Sequence, residues 1–418
     1  MVSVALLVRL AVAAFSFVGV ADPAGGYDNF GWELGWTARS IALGHGFGSP
    51  FLPLTGPTAL VPPLYPYLLA GIFKVFGLYS QGAAFATLGL NSLFSALTCI
   101  PLYLSARESL GGKAARWVGW GWVVYPYSVY FSAGIVWEFA LTGLLFATCF
   151  WLAQGLGRWA SWGRWVGYGV MCGVTMWSNP STLPVLVGLL GLAAWRGRQV
   201  LRPVVALIAL GAMMLPWTVR NERALHVFCP MRDGFWLEAW AGNAGDSSES
   251  NPAWAHPASN AVEMQLYEAL GETAYMDSKH RMAVDFIEGH PGWFAKVTAR
   301  RVFRYWTGYW SFSRSYLRGQ PLDLPNVLFC IPLTVAMLIG IRRWWRAEAP
   351  RSLARLGRSP LAPYLLAVVV FPLPYYVTHA SMDYRQPIES VILTLIVAGF
   401  ALRVEKPVKP VLEELSAR

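Results

Sequence analysis

The chain has 418 residues, 55% of them hydrophobic and only 13% charged, with a net charge of +10. Soluble domains hold about 25% charged residues, so an ordinary water-soluble globule is excluded. The basic excess sits mainly between apolar runs, where it reads as a membrane-topology signal rather than a nucleic-acid footprint, and no nucleic-acid partner is expected.

Taken in chain order, the first apolar run covers 4–20. Its weak basic start at Arg9 and the small residues that follow give it some likeness to a signal peptide; the expectation here is a retained transmembrane anchor. A span needs about 20 mostly apolar residues. Further spans are predicted at 83–105, 117–135, 139–157, 164–178, 182–195, 203–219, 326–342, 361–378 and 387–403. Ser178-Asn179-Pro180-Ser181 reads as a tight turn between two short helices. The short loops on one side of this layout carry eighteen Lys and Arg, and those on the other carry only Arg385. That asymmetry predicts about ten transmembrane helices in a plasma (inner) membrane, with both termini cytoplasmic. The expected fold class is therefore an all-α polytopic membrane protein with a mainly helical extracytoplasmic domain. The predicted organisation is an N-terminal membrane module (1–219) with a first outer loop (21–82), an outer domain (220–325), and a C-terminal membrane module with tail (326–418).

The outer domain is predicted to hold helices at 262–270 and 279–288. It ends in a basic aromatic stretch, 293–310, where Arg300, Arg301 and Arg304 recur at helical spacing. Two readings of that stripe stand open: a helix lying on anionic headgroups, or a solvated face. The two halves of the chain show no repeat, which weighs against a transporter. Five cysteines show no metal-ligand spacing and no disulfide framework.

The first outer loop concentrates the chemistry. Asp28 and Glu33 lie five residues apart, just after the first span. A carboxylate there suits a general base toward an acceptor hydroxyl or amine. Helix capping is the competing role for either residue. Glu138, at the outer end of a span, is placed in a substrate cleft, because acidic groups near membrane depth usually face a cavity; a turn residue in water is the alternative. His45 and His379 are candidate cleft residues or proton carriers. Neither sits in a ligand cluster, and no metal or other cofactor is expected. Arg232-Asp233, with Phe235-Trp236 nearby, stands undecided between acceptor binding and ordinary surface.

The next block reads Gly56-Pro57-Thr58-Ala59, Pro62-Pro63-Leu64-Tyr65-Pro66 and Lys74-Val75-Phe76-Gly77. With Asp28-Asn29-Phe30-Gly31 before it, this order resembles the GT-C fold glycosyltransferases that use polyprenyl-phosphate sugars. The aminoarabinose transferase and protein O-mannosyltransferase families are the nearest in pattern. Looser matches follow at Ser178-Asn179-Pro180-Ser181, Pro216–Asn221 and His379–Pro387. The resemblance implies an acidic catalytic base in the first loop, placing Asp28 first and Glu33 second. It also implies a cleft containing Tyr65. Asn29 stands where the family often has a second acidic residue. Val61 stands where the aminoarabinose pattern has a Lys for the carrier phosphate, so Arg385, Arg220 and Arg39 are the candidate phosphate ligands. The implied reaction is inverting transfer from a polyprenyl-phosphate-linked sugar to a lipid, glycan or protein acceptor on the extracytoplasmic face. The alternatives are a transporter or flippase of lipid-linked sugars, or a non-catalytic protein of envelope assembly.

Overall fold

A computed structural model describes residues 1–21, 28–156, 161–244, 253–309, 311–319, 323–348 and 352–401. Among these residues the architecture is helical, and the one β-bridge is isolated, between Gly48 and Pro57. The helices in chain order are α1 (Val2–Val20), α2 (Glu33–Ala42), α3 (Leu64–Phe76), α4 (Gln81–Leu97), α5 (Cys99–Leu110), α6 (Gly112–Val123) and α7 (Pro126–Ala133). Then come α8 (Phe139–Leu156), α9 (Trp162–Ser178), α10 (Leu183–Gly197) and α11 (Leu201–Leu225). The segment predicted as the outer domain contains α12 (Phe235–Ala244), α13 (Ala261–Leu270), α14 (Glu272–Gly289), α15 (Pro291–Thr307) and α16 (Arg314–Gly319). The chain closes with α17 (Asp323–Glu348), α18 (Leu353–Arg358), α19 (Ala362–Val370), α20 (Leu373–Val377) and α21 (Glu389–Phe400).

Among the described residues, five helical stretches are long and apolar enough to cross a membrane: Val2–Val20, Gln81–Leu110, Phe139–Leu156, Leu201–Leu225 and Asn326–Glu348. The other predicted spans are helical but shorter or interrupted. Pro101 lacks the N–H that would bond the Leu97 carbonyl, and α4 passes into α5 at Thr98. The predicted span 117–135 is two helices, because Pro126 cannot continue α6 and instead occupies the first turn of α7. The predicted span 361–378 divides likewise into α19 and α20 around Pro372. A 3₁₀ turn, Met382–Ile388, precedes α21.

Close packing in the membrane module relies on small residues, as expected where lipid removes the hydrophobic drive between helices. A Cβ on Gly399 would sit 2.1 Å from the Gly340 Cα, so α17 and α21 touch backbone to backbone. Arg9 is fully buried, and its donors bind α1 into the bundle. They reach Ser95 Oγ at 2.8 Å, Ser128 Oγ at 2.6 Å and the Trp122 carbonyl at 3.0 Å.

The basic aromatic stretch forms α15, but neither reading of its arginine stripe holds. Arg301 and Arg304 are buried. Arg301 donates to the carbonyls of Gly242 and Tyr376 and to Asn243 Oδ1, joining α15 to α12 and α20. A face that saturates carbonyls inside the fold is withdrawn from headgroups and from water alike.

Candidate functional site

The helix ends, first loop and domain predicted to be outer meet in one region. The loop enters through a 3₁₀ turn, Asp28–Phe30, then Gly31 at φ +92° and Trp32 at φ 48°. A Cβ on Gly31 would lie 2.8 Å from the Val136 carbonyl oxygen. Glycine therefore lets the first loop touch the segment that carries Glu138. Glu33 is the first residue of α2, where the helix dipole favours an anion. The side chain of Asp28 lies outside the described residues.

Glu33 is mostly buried, and its Oε1 lies 3.5 Å from Nε2 of His256 in the outer domain. Burial pushes its carboxyl above the usual range and nearby Glu238 adds to this, while His256 and Arg232 oppose it. Glu138 is buried at the head of α8, where its carbonyl accepts from the Thr142 N–H. Its Oε1 accepts from Asn179 Nδ2 at 3.3 Å, and its Oε2 has no hydrogen-bond partner. Burial pushes the Glu138 carboxyl up to about 8, against the opposing fields of Arg232 and the Asn179 amide. Tyr65 is buried beneath this turn. Its hydroxyl pairs with Asn91, whose amide also donates to the carbonyls of Ile135 and Trp137. Tyr65 thus props the segment that presents Glu138.

His379 lies 3.8 Å from Glu238 Oε2 and 3.4 Å from the Tyr384 hydroxyl. Tyr384 stacks on Tyr375 with ring centroids 4.8 Å apart. Arg232 is exposed, and its field reaches Glu33, Glu138, Asp233, Tyr375 and Tyr384. The region therefore offers three incompletely bonded carboxylates, two histidines and a solvent-facing guanidinium. Such a set can take a proton from an acceptor and hold an anion beside it.

The three arginines named from sequence are each engaged. Arg39 donates to the carbonyls of Phe51 and Leu52, at 3.2 and 2.8 Å. Arg220 donates to the carbonyls of Thr58 (2.6 Å) and Phe47, and to Asn221 Oδ1 at 2.9 Å. Arg385 is fully buried and pairs with Glu389 at 2.9 Å, but its Nη2 has no partner. His45 is exposed on the turn after α2.

A second acidic group fixes the first loop to the outer domain. Glu272 opens α14 and is buried; it accepts from the Thr58 hydroxyl, the Ala59 N–H and, at 2.6 Å, the Tyr267 hydroxyl. The Asp233 N–H donates to the Ala59 carbonyl at 3.2 Å. Burial lifts both carboxyls, and the neighbouring Glu272 lifts Asp233 further.

Arg232, read from sequence as undecided between acceptor binding and surface, stands in this region; Glu238, His256 and Glu272 were not singled out and sit in no motif. Among the described residues, no group of three or more His, Cys, Asp and Glu is arranged to hold a metal ion.

Residues 60–219 match the family model described as dolichyl-phosphate-mannose-protein mannosyltransferase. The resemblance read from the motifs around Pro62–Gly77 is borne out over that segment. The match contains Tyr65, Glu138 and Asn179, and excludes Asp28, Glu33 and the outer domain. No curated protein matches the chain in sequence. Among solved structures, one likeness is to the Archaeoglobus fulgidus oligosaccharyltransferase tethered with an acceptor peptide: 13% identity, TM-score 0.49, covering 94% of this chain and 49% of that one. Another is to ArnT from Cupriavidus metallidurans bound to undecaprenyl phosphate: 14% identity, TM-score 0.36, covering 94% of this chain and 76% of that one. The chain spans about half the length of the oligosaccharyltransferase structures it resembles.

Proposed function

We propose that this protein is a membrane glycosyltransferase that moves a sugar from a polyprenyl-phosphate donor to a lipid, glycan or protein acceptor on the side of its outer domain. The observation that carries the reading is the placement of the carboxylate-lined region at the outer ends of the helices that match the mannosyltransferase model. That family's name joins a polyprenyl-phosphate sugar to an acceptor, and these side chains suit such a transfer.

In this reading a first-loop carboxylate, Asp28 or Glu33, removes the acceptor proton as the acceptor attacks the anomeric carbon. Direct displacement with one base inverts that centre. The raised Glu33 carboxyl makes a stronger base once ionised. The phosphate leaves with its own charge and needs no general acid. Arg232 is the cation most open to it, with Arg385, Arg220 and Arg39 as the further candidates. Glu138, His379 and Tyr65 would shape the cleft, with His45 on its periphery. The donor side would face away from the cytoplasm, with both termini cytoplasmic in a plasma membrane.

The test is reconstitution of the intact protein in proteoliposomes with labelled polyprenyl-phosphate sugars. The proposal expects release of carrier phosphate coupled to labelling of an acceptor. Movement of uncleaved donor across the bilayer would instead establish a flippase and overturn it.

A further inference from the structure

A cavity outside this region lies at the opposite end of the bundle. It measures about 200 Å³ and is lined by Gln154 of α8, Leu189, Leu192 and Arg196 of α10, Arg358 of α18 and Pro363 of α19. Glu138 precedes the first turn of α8 and Gln154 sits in its last. Sixteen residues at 1.5 Å each separate them by about 24 Å. A hydrocarbon core is about 30 Å thick, so the cavity belongs to the other membrane face.

Its walls are chemically uneven. Leu189, Leu192 and Pro363 are apolar. Arg196 donates to the carbonyls of Gly357 (2.8 Å) and Ser359 (2.6 Å), fastening α10 to the turn before α19. Arg358 is exposed and lies over the Trp195 ring at 5.8 Å, and among the described residues its guanidinium makes no hydrogen bond. The Gln154 amide donates to Ser105 Oγ at 2.9 Å and the Tyr364 hydroxyl at 3.1 Å, leaving a buried Oε1 with no partner. Glu108 on α5 accepts from Trp151 Nε1 at 3.1 Å and does not line the cavity.

We propose that this cavity binds the headgroup of a phospholipid in the leaflet opposite the transfer site. The phosphodiester would pair with Arg358, which offers a planar fork of donors suited to phosphate. A hydroxyl or ammonium on the headgroup alcohol would donate to Gln154 Oε1, relieving a buried acceptor that is otherwise costly to leave unmade. The acyl chains would run down the Leu189 and Leu192 side of α10. At about 30 Å³ per water, the volume equals six or seven waters, enough for a phosphate and a short alcohol. Such a lipid would bridge α8, α10 and α19, and its binding is independent of the transfer reaction.

The test is native mass spectrometry of the intact, delipidated protein titrated with short-chain phosphatidylglycerol, phosphatidylcholine or inorganic phosphate. The proposal expects one phosphatidylglycerol per chain and phosphatidylcholine, which lacks the donor, about tenfold weaker. Arg358→Gln, at an exposed position, should lose about tenfold for phosphatidylglycerol, the scale of one charge-assisted contact. Gln154→Leu should erase the difference between the two lipids. Equal binding of both lipids, unchanged in Arg358→Gln, would mean annular lipid only and overturn the site. Displacement of lipid by millimolar inorganic phosphate would mark a soluble-anion site and overturn the lipid assignment.

Discussion

Two acidic clusters stand side by side where the first outer loop meets the outer domain, and they are bonded in opposite ways. Glu272 accepts from a threonine, a tyrosine and a backbone amide, so its charge is satisfied within the protein. Glu33 has one partner at 3.5 Å, Glu138 leaves an oxygen unpaired, and Glu238 has His379 at 3.8 Å. The arginines divide the same way: Arg220 is committed to loop carbonyls, whereas Arg232 faces solvent. Saturated polar groups hold a fold together; under-bonded ones in a burial-strained setting are where ligands and protons find room. In the proposed reading, the saturated Glu272 belongs to architecture and the Glu33–Glu138 cluster to chemistry.

The sharpest way to break that division is to neutralise both first-loop carboxylates. Asp28→Asn/Glu33→Gln should lower carrier-phosphate release by about 10²–10⁴-fold, the usual contribution of a general base. Steady-state assay of protein matched for membrane insertion measures it. Next, Arg232→Gln should reduce kcat/KM for the polyprenyl-phosphate sugar by about 10–100-fold, the loss of a charged hydrogen bond to phosphate. A cluster that only shapes the loop would leave kcat/KM unchanged.

The architectural side predicts a stability effect instead. Glu272→Ala strips three donors of their acceptor and should cost about 2–4 kcal/mol. Proteolysis of the outer segments should accelerate before the membrane module melts. Glu138 sharpens the contrast through pH. With its carboxyl near 8, the folded protein holds it protonated at pH 6.5. Glu138→Gln should then stay within about threefold of the parent at pH 6.5, under 1 kcal/mol, and diverge only above about pH 8.

The smallest effect concerns the Asp233–Glu272 pair, whose carboxyls are raised by burial. Below the ordinary carboxylate range both folded and unfolded chains are protonated, and the pair is neutral to stability. As pH rises past about 4, the unfolded chain releases protons that the folded chain keeps, so stability falls until pH passes the raised folded values. Tm should drop by about 2–4 °C per kcal/mol lost over this window. Asp233→Asn should flatten the slope.

Much of the fold was legible because apolar runs and prolines act locally. The runs at 139–157 and 203–219 became α8 and α11 with small changes at their ends. The predicted spans at 117–135 and 361–378 are each divided in two, because hydropathy sums over Pro126 and Pro372 without registering the breaks in the helix there. Glu33, Glu138, Tyr65 and His379 were named from motif and position, and the structure places them around the meeting point of the first loop and residues 220–325. Glu272 was not named: its bond to Thr58 joins residues 214 positions apart, and no local pattern encodes such a contact. His256 and Glu238 were hidden for the same reason, since their contacts with Glu33 and His379 join residues far apart in the chain. The arginine stripe of α15 looked like a surface because periodicity marks a face without saying what it meets.

The most direct test of the division between clusters is to measure, for Asp28→Asn and Glu33→Gln separately, both thermal stability and sugar transfer in proteoliposomes. The account predicts that at least one variant inserts and melts like the parent yet neither releases carrier phosphate nor labels an acceptor. If both variants transfer sugar at the parental rate, the base does not lie in the first outer loop and the assignment of chemistry to this cluster is wrong.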